Sequence, residues 1–417
     1  MSVYQISSAR GADAANAAGV PGAAGAVGAA LPRIVESVCF ALIVSHVVFL
    51  LASLVKGDWL IGADGGVASD FVNVWAAGKL ALAGHAASTY DWATHKAAEV
   101  SAVGHPFDGY FGWHYPPPFL FVAIPLALIP YAVAYVVWVF GTLPAYLVTI
   151  RAIVGDRIGY LLAAAFPAVL ANCVVGQNGF LSAGLIGGTL YLIERRPILA
   201  GVLLGLLTYK PHLGLLFPIA LIAGRYWRTF FTAALVAALM AAASWAAFGA
   251  EAWQAFAAGI GKSSQAFLSN GAADWAKLQT AFGLARTLGG SETLAWSVQG
   301  GVVIAAAAAI AALWASRAPY ALKAAALGTG AMLATPYLYT YDLVVLAVPL
   351  AFLIRLGRAD GFMPNELAFI GFACLLIVFF PFVKAPVGFA AVLIVAALIG
   401  SRVLALRRAH APQSAAA

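Results

Sequence analysis

Runs of roughly 20 apolar residues, each long enough for one helix to cross a bilayer, follow one another along most of this chain. The first, residues 34–55, holds a single charged side chain, Glu36. Backbone placed in hydrocarbon has to satisfy its own hydrogen bonds, and for such runs that means helices. Further runs cover 131–150, 158–175, 179–194, 197–210, 211–224, 229–248, 296–314, 319–336, 341–356, 366–382 and 386–406. Together they predict about twelve spans, the shorter ones lying beside Gln177 and Lys210. Residues 116–129 are too few to cross and read as a re-entrant or interfacial helix. Composition agrees, since 63% of the 417 residues are hydrophobic and 9% are charged, against about 25% charged in a soluble domain. That excludes a soluble enzyme, a nucleic-acid module and a disordered scaffold. The expected class is an all-α polytopic membrane protein.

The net charge of +7 does not mark a nucleic-acid partner, because the basic residues are spread over short loops. Arg151 and Arg157, Arg195 and Arg196, Arg225 and Arg228, Arg317 and Lys323, Arg355 and Arg358, and Arg402, Arg407 and Arg408 fall in alternate connections. The positive-inside rule then puts both termini in the cytoplasm and the long loops 56–115 and 249–295 outside. Three segments follow: an Ala/Gly-rich tail over 1–33, read as disordered, one transmembrane domain over 34–406, and a short tail over 407–417. Cys39, Cys173 and Cys374 lie far apart without metal-ligand spacing. His85, His95 and His105 share no helical face, so no metal is expected.

The unusual polar residues converge on one face. Under this topology Asp70, His114-Tyr115, Gln177-Asn178, Lys210-Pro211-His212 and Tyr341-Asp342 all come to the outer ends of helices. Ionisable groups at membrane depth are costly and mark cavities that do work. Asp70 opens a stretch in which Phe71, Val74, Trp75 and Gly78 recur at helical spacing, predicting an amphipathic helix on the membrane surface. Its carboxylate reads either as an N-cap for that helix or as a base. Asp58, Asp64, Asp91 and Asp108 are its rivals in the same loop. Lys210 stands between two apolar runs where Pro211 breaks the helix, so a cation meets freed backbone ends, a combination suited to phosphate. Arg286 and Lys262 of the second outer loop, with His212, are further candidates for ligand charge, and each also reads as an ordinary solvated or interfacial residue.

Several short patterns then fall in order. Asp70-Phe71 is followed by Gly-x5-Tyr-Asp over 84–91, Tyr115-Pro116-Pro117, Pro-Leu-x3-Pro over 125–130 and Gly176-Gln177-Asn178. After these come Ala-Gly-x3-Gly and Lys-Pro within 200–211, Thr335-Pro336, and Tyr341-Asp342-Leu343. In this order the chain resembles glycosyltransferase family 87, membrane enzymes of the GT-C fold that include polyprenyl-phosphomannose-dependent mannosyltransferases. The resemblance implies an inverting transferase in a bacterial inner membrane. It would pass a sugar, mannose-like in the first instance, from a polyprenyl phosphate to a lipid or glycan acceptor on the non-cytoplasmic face. It also implies that Asp70 is the base. Where some members carry a histidine, this chain has the stretch 339–342.

The chemistry fits the residues independently. An acceptor hydroxyl needs one base, and a lipid phosphate leaves without a second carboxylic acid, whereas a glycosidase needs two facing carboxylates. The departing phosphate needs positive charge, supplied on this reading by Lys210 with His212, Arg286 or Lys262. His114, Tyr115, Gln177, Asn178, Tyr341 and Asp342 are left to hold substrate. No cofactor is required beyond the lipid-linked donor. The competing class is a lipid or glycolipid flippase, which also buries charge but tends to repeat its broken helices in two related halves.

Overall fold

Prolines and glycines decide where the apolar runs break. The computed structural model describes residues 31–272 and 274–410, so most of the expected N-terminal tail and residues 411–417 lie outside the described residues. The helices run in chain order α1 (Arg33–Lys56), α2 (Phe71–Leu82), α3 (Trp92–Val103), α4 (Leu120–Ala127), α5 (Tyr131–Val154) and α6 (Ile158–Ala165). Next come α7 (Ala168–Val175), α8 (Gly179–Leu192), α9 (Pro197–Leu206), α10 (Phe217–Ala223), α11 (Trp227–Ser264) and α12 (Ala281–Thr287). The last are α13 (Glu292–Ala315), α14 (Tyr320–Leu333), α15 (Ala347–Asp360), α16 (Glu366–Phe379) and α17 (Val387–His410). The all-α membrane class is as expected.

Every run expected to span forms a helix, but six among the described residues are long and apolar enough to cross: α1, α5, α11, α13, the Thr340–Asp360 stretch ending in α15, and α17. Helices α6 and α7 add a seventh if the pair, bent by 60°, counts as one. By this measure the count of about twelve is not reached. The reason is length: α8 and α14 have 14 residues each, and at 1.5 Å per residue such a helix reaches ~21 Å, short of a ~30 Å hydrocarbon core. Gly249, with φ 76° and ψ 170°, interrupts α11 where the second outer loop was expected to begin.

The interior is built on α8 and α15, almost wholly buried, while α1, α11 and α13 turn most of their side chains outward. Small residues set the close approaches between helices. A Cβ on Gly201 would lie 2.5 Å from Thr232 Cβ, and one on Gly205 2.5 Å from Val236 Cβ. The Gly-x3-Gly of this stretch is therefore the packing seam between α9 and α11.

Helix α2 departs from expectation. Asp70 does precede it, but every residue from Phe71 to Gly78 is buried. Over those residues it is a core helix and lacks the solvated face of an interfacial one. The cause is α4, which approaches so closely that a Cβ on Gly78 would lie 2.2 Å from the Ala123 carbonyl. Trp75 Nε1 also donates to the Ile129 carbonyl at 2.9 Å.

Candidate functional site

Three chain segments meet at one end of the bundle, and two glycines let them. Gly176 closes α7 in the left-handed region (φ 68°), with its N–H on the Asn172 carbonyl. A Cβ there would lie 2.7 Å from Phe71 Cβ, and one on Gly179 would lie 2.5 Å from the Tyr341 carbonyl. Asn172 Oδ1 accepts the Gly179 N–H at 2.9 Å, and Trp138 Nε1 donates to the Gly176 carbonyl at 3.0 Å. The Gly-Gln-Asn-Gly turn is thus clamped between the start of α2 and the Tyr341 strand of chain, which delivers Gln177 to Asp70 and Asn178 to Lys210.

The polar groups form one connected line. Gln177 Nε2 donates to Asp70 Oδ2 at 3.4 Å, and the Tyr115 hydroxyl donates to Gln177 Oε1 at 3.0 Å. Asn178 Nδ2 donates to the Tyr115 oxygen at 2.7 Å, and Lys210 Nζ donates to Asn178 Oδ1 at 2.8 Å. The ammonium also makes a salt bridge with Asp342 Oδ1, and Asp342 Oδ2 accepts the Tyr339 N–H at 3.1 Å. Gln177, Asn178, Lys210 and Asp342 are buried, while Asp70, Tyr115 and Tyr341 keep accessible surface although protein surrounds them. Tyr341 stacks on Tyr339, with centroids 5.6 Å apart, and its ring lies 5.7 Å from Lys210 Nζ.

Asp70 makes no side-chain capping bond to α2, so of its two readings the geometry leaves the carboxylate free for chemistry. It sits outside the spans, in the long loop between α1 and α5. Burial pushes its carboxyl up to about 6; Asp342 adds to the rise, while the Gln177 hydrogen bond and the charges of Lys277 and Lys210 oppose it. A carboxyl poised there is ionised at neutral pH yet basic enough to take a proton.

Lys210 was expected as an unpaired cation for an anion. It is instead neutralised by Asp342, a partner 132 residues away that no local pattern announces. Arg286 does not reach this cluster either. Its guanidinium donates to the Gly290 and Ser269 carbonyls and packs over Trp275, tying the 249–295 segment together. Lys262 is exposed at the end of α11, near Asp91. His114 is exposed, with Nδ1 2.9 Å from the Ser263 hydroxyl and its ring against Phe267, so it joins the two long loops. His212 lies near Lys210, and among the described residues its Nε2 finds no partner.

Sequence reasoning passed over Lys277. It is exposed and, among the described residues, its ammonium has no ion pair or hydrogen bond, yet its charge reaches Asp70. Buried Gln279 fixes the segment: its N–H donates to the Leu338 carbonyl at 2.7 Å, its Nε2 to the Lys277 carbonyl at 3.0 Å, and its Oε1 accepts Gly388 N–H at 2.7 Å. A loop lysine looks like any other in sequence, so no signal there could have found it.

A helical membrane protein with a partly desolvated carboxylate at one end of a buried polar network has the parts that a membrane transferase needs. The sequence model of glycosyltransferase family 87 matches residues 113–336, over half the chain. The chain belongs to that family and is a membrane glycosyltransferase. Among curated proteins and solved structures, nothing matches it. The matched stretch contains Tyr115, Gln177, Asn178 and Lys210, whereas Asp70 and Asp342 lie outside it.

Proposed function

We propose that this enzyme takes a sugar, a mannose-like hexose, from a polyprenyl-phosphate donor and passes it with inversion to a lipid or glycan acceptor on the extracytoplasmic face of a bacterial inner membrane. The observation that carries the reading is the uncapped Asp70 carboxylate, held by Gln177 and within the electrostatic reach of Lys277. The acceptor hydroxyl gives its proton to Asp70 as its oxygen attacks the anomeric carbon. The bond from that carbon to the phosphate oxygen breaks, and the lipid phosphate leaves with the electron pair. Because the leaving group is already an anion of low basicity, it needs charge rather than a proton, and Lys277 supplies it. Asp342 is not a second acid, since both its oxygens are engaged, which argues against glycoside hydrolysis. A site at the membrane surface lets the prenyl tail stay in lipid. The alternating arginines support a site on the outer face and termini in the cytoplasm.

The test is transfer by the purified protein in vesicles. Labelled polyprenyl-phosphate hexoses should yield a new glycolipid or glycan, and a nucleotide sugar used in their place should yield none. Lys277→Ala should raise the KM for donor by about tenfold, as expected for loss of one charge-assisted contact, with folding unchanged. Transfer from the nucleotide sugar alone would overturn the donor class. An unchanged donor KM in Lys277→Ala would remove the phosphate from that lysine.

A further inference from the structure

Helices α13 and α17 both pack on α14 and leave a groove between them with a cavity of about 670 Å³, which runs along α14 from Pro319 to Leu333. Its walls are apolar residues such as Leu313, Ile399 and Leu404, and Gly330 of α14 lies on its floor, packed against Ile310. Its one charged end carries Arg317 and Arg407. Both side chains are exposed, and among the described residues neither makes an ion pair or hydrogen bond. Lys323 adds to the same end, its Nζ donating to the Trp314 and Ser316 carbonyls at the C-terminus of α13.

We infer that this groove binds one anionic phospholipid of the bilayer, with an acyl chain along α13, α14 and α17 and its phosphate on Arg317 and Arg407. Length supports it: from Ala396 to Arg407 the lining of α17 extends ~17 Å, about the ~15 Å of one leaflet's hydrocarbon. Charge supports it as well, because two guanidiniums without a counter-ion at the mouth of an apolar slot match a phosphate whose tail is apolar. The occupant is not the sugar donor in its reacting pose. The length of α14, ~21 Å, separates Arg317 from the Thr335–Asp342 segment where transfer occurs, so a lipid held here is a second one.

Native mass spectrometry of the full-length protein in detergent, titrated with phosphatidylglycerol, phosphatidylcholine of the same chains, or undecaprenyl phosphate, decides the matter. Phosphatidylglycerol should bind at least tenfold more tightly than phosphatidylcholine. The double variant R317Q/R407Q should lose about tenfold in phosphatidylglycerol affinity with phosphatidylcholine unaffected. Leu313→Trp, which fills the slot, should weaken both phospholipids. Equal binding of the two phospholipids, or an undiminished preference in the double variant, overturns the inference. So does tighter binding of undecaprenyl phosphate than of phosphatidylglycerol, which would make the groove a prenyl-lipid site. Arg317 and Arg407 are exposed and unpaired, so the double variant keeps its fold, and its unchanged melting temperature without lipid is the control.

Discussion

Asp70→Asn should lose turnover by ~10²-fold or more and still fold, insert and bind donor. The side chain keeps its shape, and its oxygen can still accept from Gln177 Nε2, but it can no longer take a proton. Folding is preserved because the carboxylate makes no capping bond to α2 that could be lost. Asp58→Asn and Asp64→Asn, both at exposed positions, should remain active and serve as controls. The pH profile gives an independent reading. A base must be deprotonated to act, so with a carboxyl pushed up to about 6, kcat/KM should fall as pH drops through that value and level off above it. That acid limb should be absent from whatever activity Asp70→Asn retains. A fully active Asp70→Asn enzyme, or a wild-type profile flat between pH 5 and 7, would overturn the assignment.

What the sequence could and could not disclose follows from the range of the interactions. Hydrophobic runs are local, so each of them found its helix, and the breaks at Gly176 and Pro211 fell where turn chemistry put them. Whether a run crosses the membrane depends on helix length after those breaks, and α8 and α14 end too soon for a periodicity count to tell. Helix α2 looked interfacial because Phe71, Val74, Trp75 and Gly78 recur at helical spacing, yet α4 packs against it and even Asn73 is buried. That burial is a tertiary fact. The convergence of Asp70, Gln177, Asn178 and Lys210 was legible because charge in apolar surroundings is rare. The pairing of Lys210 with Asp342 and the approach of Lys277 to Asp70 were not, since both join segments that are remote in sequence and ordinary when read alone.

The Lys210–Asp342 pair leads to the second large effect. Sequence alone made Lys210 the phosphate cation, but a phosphate arriving there would meet a neutral pair whose ammonium already donates to Asn178 and Asp342. In this geometry Lys210 is a positioning residue: it holds Asn178, hence Tyr115 and Gln177, beneath Asp70. Lys210→Ala strips the partner from a buried carboxylate, and breaking such a pair costs about 3–5 kcal/mol. The variant should therefore melt far below wild type in detergent and lose activity through folding. Lys210→Arg keeps the charge and should recover much of the stability. The decisive variant is the double change Lys210→Met with Asp342→Leu, which removes both charges and leaves none unpaired. It should regain most of the melting temperature, because replacing both members of a buried pair by apolar residues is often close to neutral. Its turnover should stay low, because Asn178 has lost its anchor, while the acid limb set by Asp70 remains in the residual activity. If Lys210→Ala instead melts like wild type and loses only affinity for the polyprenyl-phosphate sugar, the lysine meets the donor phosphate directly and the pairing with Asp342 gives way when substrate binds.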